Sequence, residues 1–122
     1  MAVHGTGVVA WADTDASGWI HFTAPLRWVE QVEHSAARAA GVEPGAFPRR
    51  AVSVDYLRPL RAGQTYEVEL RAERVGRTSV TYAWVVRCDG ADAVSGTHTA
   101  VHLGDDGRPT EVPSALAEAY GD

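Results

Sequence analysis

The sequence predicts an α+β domain in which one antiparallel sheet of about five strands packs against a single long helix. Three observations carry this. The stretch from Thr23 to Gly41 has helical periodicity, later stretches alternate apolar and polar residues, and the order runs strand, helix, then four strands. With 122 residues, 45% hydrophobic and 22% charged, the chain suits a single domain over residues 1–122.

Gly5 to Ala12 reads as the first strand, with Val9 and Trp11 on one face and Val8 and Ala10 on the other. Asp13-Thr-Asp15-Ala-Ser-Gly18 follows; these residue types cap, turn and tolerate unusual backbone angles, so the segment is a polar loop. The helix begins near Thr23, a suitable N-cap, tolerates Pro25 in its first turn and ends before Gly41. Leu26, Val29, Val32, Ala36 and Ala40 form its apolar stripe. The small residues from Ser35 to Ala40 permit close approach to another backbone.

Ala51 to Leu57 is the next strand candidate, closed by a turn over Pro59–Gly63. Tyr66, Val68, Leu70 and Ala72 alternate with Glu67, Glu69, Arg71 and Glu73, as a half-buried strand does. Val75-Gly-Arg77 turns the chain into a strand with Val80, Tyr82, Trp84 and Val86 on one face. Asp89-Gly90 turns it again into a last strand from Ala93 to Leu103, and Ser114 to Tyr120 reads as a short terminal helix. A lone sheet this small leaves edges open, which favours a homodimer or homotetramer.

The formal charge of -5 and the absence of a dense basic run argue against nucleic acid as a partner, since phosphate neutralisation needs concentrated positive charge. Cys88 is the only cysteine, so neither an intramolecular disulfide nor a thiolate metal cluster is available. The start lacks the basic and apolar regions of a signal peptide, and no apolar run reaches membrane-spanning length. A cytoplasmic protein without a membrane partner is expected.

A polar loop running into a helix N-terminus is a prepared anion site, because the first helical N–H groups lack intrahelical partners and the macrodipole favours negative charge. Such an end can hold the oxyanion that forms when a carbonyl is attacked. A loop carboxylate can supply the attack, directly or by deprotonating water.

Val9-Ala-Trp-Ala-Asp13-Thr-Asp15-Ala-Ser-Gly18-Trp-Ile-His-Phe22, followed by Arg27-Trp28-Val29-Glu30, resembles the 4-hydroxybenzoyl-CoA thioesterase family. Tyr56-Leu-Arg-Pro-Leu-Arg-Ala-Gly63 and Arg77-Thr-Ser-Val80 resemble that family's second and third recurrent segments, so the likeness runs from about Val3 to Leu103. The resemblance implies a hot-dog fold, a long helix wrapped by a curved antiparallel sheet. It implies hydrolysis of an acyl-CoA or acyl-carrier-protein thioester, with no metal or redox cofactor and coenzyme A or phosphopantetheine as part of the substrate. By residue, it makes Asp15 the catalytic carboxylate, Gly18 the motif glycine and the Phe22 N–H the donor to the thioester carbonyl. Separately, Trp11, Trp19, Phe22 and Trp28 cluster around the motif, which points to a bulky acyl group lined by Trp19, His21 and Trp28, with core packing the competing role of aromatics. By analogy, Arg77 would meet phosphates outside the pocket. Sites between two subunits are the family pattern. The chain departs from it at Phe22, where His or Tyr is frequent, at Ala24 in place of Asn, and at Pro25 in place of Tyr.

Other roles compete for several of these residues. Asp15 could form an Asx-turn or a cap, and Asp13 is expected to brace the loop through backbone N–H groups. Glu30 matches the helix glutamate that a second group of hot-dog thioesterases uses, but Glu30, Glu33 and His34 read first as a solvated or interface helix face. His98 and His102 alternate on one strand with no third ligand, and are expected on a sheet face or interface rather than on a metal. Arg58, Arg61 and Arg74 are solvated turn charges by default. A hydratase or conjugate-addition enzyme on the same scaffold, or a non-catalytic acyl-thioester-binding module, are the alternative functions.

Overall fold

In the computed structural model, which describes residues 2–121, the chain runs β1 (Ala2–Val8), α1 (Ala24–Ala39), β2 (Arg49–Tyr56), β3 (Thr65–Val75), β4 (Ser79–Cys88), β5 (Ala91–Val101) and α2 (Ser114–Tyr120). The strands form one antiparallel sheet in the order β1-β3-β4-β5-β2, so β1 and β2 are its edges. The α+β layout and the element order are as the sequence predicts. No helix among the described residues is long and apolar enough to cross a membrane.

Alternation explains which sheet face is covered. Val80, Tyr82, Trp84 and Val86 of β4 and Val68 and Leu70 of β3 point inward and are buried, while Glu67, Arg71 and Thr81 point away. The helix packs on that inner face and on β1. Its close approach to β1 is permitted by the strand: a Cβ on Gly5 would lie 2.5 Å from Val32 Cγ2.

Several boundaries differ from expectation: the first strand starts at Ala2 rather than Gly5, and the second runs Arg49–Tyr56 rather than Ala51–Leu57. The first strand ends at Val8 rather than at Ala12, and Trp11–Asp13 form a 3₁₀ turn. The Asp13 carboxylate accepts the Ala10 N–H at 3.0 Å, a side-chain bond that competes with continued pairing and leaves Trp11 80% exposed. The last strand starts and ends two residues early, at Ala91 and Val101. The deepest stripe of α1 is also rotated from the predicted one. Trp28, Val29, Glu33 and Ala37 are buried, whereas Leu26, Val32, Ala36 and Ala40 are only partly covered.

Two contacts produce that rotation. Trp28 stacks on Tyr66 of β3 with ring centroids 4.1 Å apart. Glu33, 3% exposed, is drawn inward by Arg49 of β2 and His98 of β5, so it does not belong to a solvated helix face. Arg49 is bidentate to Glu33, at 2.6 and 2.9 Å, and also reaches Glu30 at 3.3 Å. His98 Nε2 meets Glu33 at 2.7 Å, and the Trp84 indole N–H donates to His98 Nδ1 at 3.2 Å. An indole can only donate, so Nδ1 accepts and the ring proton sits on Nε2, facing the carboxylate. Burial opposes ionisation of Glu33, but the His98 and Arg49 hydrogen bonds, with the Arg49 charge, outweigh it and hold the acid below its usual range. This network pins edge strand β2 to the helix.

Candidate active site

The loop after the 3₁₀ turn folds as a narrow ribbon. The His21 N–H donates to the Asp13 carbonyl at 2.7 Å, Thr14 and Ile20 bridge, and the Asp15 N–H donates to the Trp19 carbonyl at 3.0 Å. The Gly18 N–H closes the tip onto the Asp15 carbonyl at 3.0 Å. Gly18 has φ +83°, a left-handed angle that favours glycine whatever the chemistry.

Asp15 sits at the tip and is exposed in the single subunit. Its Oδ1 accepts the Ser17 hydroxyl and the Ser17 N–H, the latter at 2.8 Å, which is an Asx-turn. The Ser17 hydroxyl and then its N–H favour the charged form and lower the Asp15 acid from its ordinary value. Oδ2 accepts no hydrogen bond from another described residue. Turn-forming and a free carboxylate oxygen therefore coexist in one side chain.

Asp13 braces the loop, as expected. Oδ2 accepts the Ala10 N–H at 3.0 Å and the Trp28 indole N–H at 3.4 Å, and Oδ1 pairs with Arg27 at 2.9 Å. Burial raises this acid, but the Ala10 N–H, Arg27 and Trp28 together leave it lowered. Trp28 is thus a core residue, 4% exposed and stacked on Tyr66, and the substrate contact expected of it gives way to this structural role.

At the helix entrance the expected cluster of free amides is reduced to one. The Ala24 N–H donates to the His21 carbonyl at 2.9 Å, the Leu26 N–H to the Thr23 carbonyl at 3.1 Å, and Pro25 has no N–H. The Thr23 N–H donates to His21 Nδ1 at 3.2 Å. Thr23 occupies the N-cap position, but its hydroxyl bonds His21 Nδ1 at 2.7 Å and accepts from Arg27 at 3.1 Å instead of capping. Only the Phe22 N–H, among the described backbone groups from His21 to Leu26, has no acceptor. The Phe22 side chain is 64% exposed, with the His21 ring beside it at 4.6 Å.

A cleft of about 290 Å³ lies alongside, lined by Trp19, Ile20, Tyr56, Leu57, Arg58 and Pro59. The Arg61 guanidinium covers the Trp19 ring at 4.1 Å. Trp19 and His21 are therefore brought to the site end with Asp15, Gly18 and Phe22. Arg77 is not. It is exposed in the β3–β4 turn, whereas β1 reaches the loop from the Val8–Thr65 end of its pairing, so Arg77 and Asp15 occupy opposite ends of the subunit. Arg58 and Arg61 lie on the site side, as does Arg27, which is already paired with Asp13.

His98 and His102 do not act as a pair. His98 is buried on the inner sheet face, while His102 stacks on Phe47 and bonds the Glu111 carbonyl. Among the described residues no group of three or more His, Cys, Asp or Glu side chains converges as a metal site would. One contact had no signal in the sequence: the Tyr56 hydroxyl donates to the Phe22 carbonyl, across 34 residues. Tyr56 stood out only as part of the second recurrent segment. The exposed apolar residues Phe22, Val52, Tyr56 and Leu57 follow edge strand β2 toward this site.

The fold resembles solved thioesterases closely. A thioesterase from Thermus thermophilus, complexed with coenzyme A and Zn, superposes with TM-score 0.87 and 27% identity over 97% of this chain and 90% of that one. A predicted thioesterase from Bacillus stearothermophilus gives 0.86 with 23% identity, covering 98% and 94%. The hot-dog architecture is thereby established. Among curated relatives, the 1,4-dihydroxy-2-naphthoyl-CoA hydrolase of Prochlorococcus marinus (strain MIT 9303) is 31% identical over 97 residues, 67% of this chain and 64% of that protein. The chain thus spans a little under two thirds of the length of that relative. The thioesterase superfamily model matches residues 2–94, which is most of the chain. Fold, motif order and family model agree: this chain belongs to the thioesterase superfamily.

Proposed function

We propose that the chain hydrolyses an acyl-CoA thioester to a carboxylic acid and a free thiol. The observation that carries this is the pairing of two unspent groups: the free oxygen of an ionised Asp15 on the loop tip, and the acceptor-less Phe22 N–H at the helix entrance. Asp15 either attacks the carbonyl, forming an acyl-aspartyl anhydride that water then hydrolyses to the acid and free Asp15, or removes a proton from the attacking water. The carbonyl oxygen becomes an oxyanion facing the Phe22 N–H, the C–S bond breaks, and the thiolate leaves to take up a proton. Gly18 shapes the turn, and Trp19 and His21 flank the acyl group. Arg58 and Arg61 lie where a phosphate-bearing thiol portion would leave the cleft. The named substrate of the Prochlorococcus relative is a CoA thioester, which favours CoA over an acyl carrier protein.

The test is thiol release from a panel of saturated, α,β-unsaturated and aromatic acyl-CoA compounds. Hydrolysis predicts free thiol from saturated and unsaturated members alike. Loss of the double bond without thiol release would move the chain to the hydratase class, and binding without turnover to the non-catalytic one.

The working unit is at least a dimer. Asp15 and Phe22 are open to solvent in one subunit, β2 is an unpaired edge, and exposed Val52, Tyr56, Leu57 and Phe22 lie along it. A second copy across this edge would close the site and bury those side chains. Sedimentation should give a mass of at least twice the 13.1 kDa of one chain. A monomer that is fully active would refute this assembly.

A further inference from the structure

We propose that Tyr56 is a positioning residue that holds the oxyanion donor in place, through its hydroxyl bond to the Phe22 carbonyl. This rests on the reading of the Phe22 N–H as that donor. A peptide unit is planar, so the Phe22 N–H shares its plane with the His21 carbonyl. That carbonyl accepts the Ala24 N–H at 2.9 Å, which fixes this plane from the helix side. The next plane carries the Phe22 carbonyl, and its only described partner is the Tyr56 hydroxyl. Two peptide planes meet at Phe22, one held by α1 and the other by β2 at its carbonyl and by His21 Nδ1 at its Thr23 N–H.

Tyr56 can serve as an anchor because its own backbone is fixed. It pairs with Val94 of β5, and the next two N–H groups, of Leu57 and Arg58, both donate to the Ala93 carbonyl at 2.8 and 3.0 Å. The other end of β2 is gripped by the Arg49–Glu33 pair. Burial holds the phenol above its ordinary range, so the hydroxyl remains a donor at neutral pH. With no acceptor of its own, the donor is aimed by the His21 carbonyl bond on one side and the Tyr56 bond on the other. An error of an ångström at a reacting centre costs about 100-fold in rate.

Tyr56→Phe removes the hydroxyl and keeps the ring. The chain has two phenylalanines, Phe22 and Phe47, so [15N]Phe labelling of the intact protein gives two amide signals. The variant should shift or broaden the Phe22 signal and leave that of Phe47. On a hydrolysed acyl thioester, kcat should fall about tenfold with KM within about twofold, since only transition-state binding is lost. The ratio should be the same for leaving thiols of different acidity. An unmoved Phe22 signal, or an unchanged kcat, overturns the proposal. A loss that grows with the basicity of the thiol would make Tyr56 a proton donor in contact with substrate, and overturns it too. If the unmodified protein released no thiol from any thioester, the hydrolase reading would fall, while the amide signal would still decide whether Tyr56 holds Phe22.

Discussion

Asp15→Asn should lower kcat by about 10²–10⁴-fold while the protein keeps its fold and mass, since the amide can neither attack a carbonyl nor take a proton from water. The substitution is nearly isosteric, and the loop does not depend on the charge. Oδ1 would still accept the Ser17 N–H, and the Asp15 and Gly18 backbone bonds remain. A variant that retained most of the parental rate would remove Asp15 from the chemistry and return it to its Asx-turn. Single turnover in ¹⁸O-labelled water, followed by mass analysis of the Asp15 peptide, separates nucleophile from base: label in the carboxylate requires a covalent acyl-enzyme. The pH profile follows from the same geometry. Asp15 acts ionised and its acid is lowered chiefly by the Ser17 hydroxyl, so activity is lost only as pH falls through that lowered value. Ser17→Ala should shift the acid limb of kcat/KM to higher pH, and a limb that stayed in place would assign it to another group.

Glu33→Ala should destabilise the protein by about 3–5 kcal/mol, the scale for removing one partner of a buried ion pair. It leaves His98, 5% exposed, with an N–H aimed at an empty space, and strips Arg49 of its bidentate acceptor. Arg49 is partly exposed and can turn to Glu30 or solvent, which places the expected loss at the lower end of that range. The acid dependence has a definite sign. The folded acid lies below the ordinary glutamate value of 4.5, so its stabilisation is complete above about that pH and is lost as pH falls through the lowered value. The gap between parent and variant in urea unfolding should therefore be full at pH 7 and narrow in acid below 4.5. A gap under about 1 kcal/mol at pH 7 would mean that water or a repacked helix replaces the network.

The sheet was legible in the sequence because alternation is a local signal: Tyr66 to Ala72 and Val80 to Val86 declare their buried face residue by residue. The candidate site loop was legible as a motif. Most of what stayed hidden was set by partners distant in sequence. Glu33 reads as polar surface until β2 and β5 bring Arg49 and His98 to it, 16 and 65 residues away. Trp28 reads as a possible pocket wall until Tyr66 covers it. Trp11 looks like a strand residue because the pattern of apolar residues continues, and the Asp13 carboxylate that ends the strand acts through a bond no periodicity records. Arg77 carries a motif likeness but lies at the end of its own subunit away from Asp15, a matter of strand direction and not of residue type.

The Asp13 clamp bears on how substrate enters and product departs. Its carboxylate ties the 3₁₀ turn to Arg27 and Trp28 in the first two turns of α1, and its carbonyl ties down His21. A loop stapled to a helix at both margins does not swing as a flap does. Under the proposed hydrolysis, acyl thioester and product acid would pass a fixed wall at this margin of the site, with no flap built from residues 13–21.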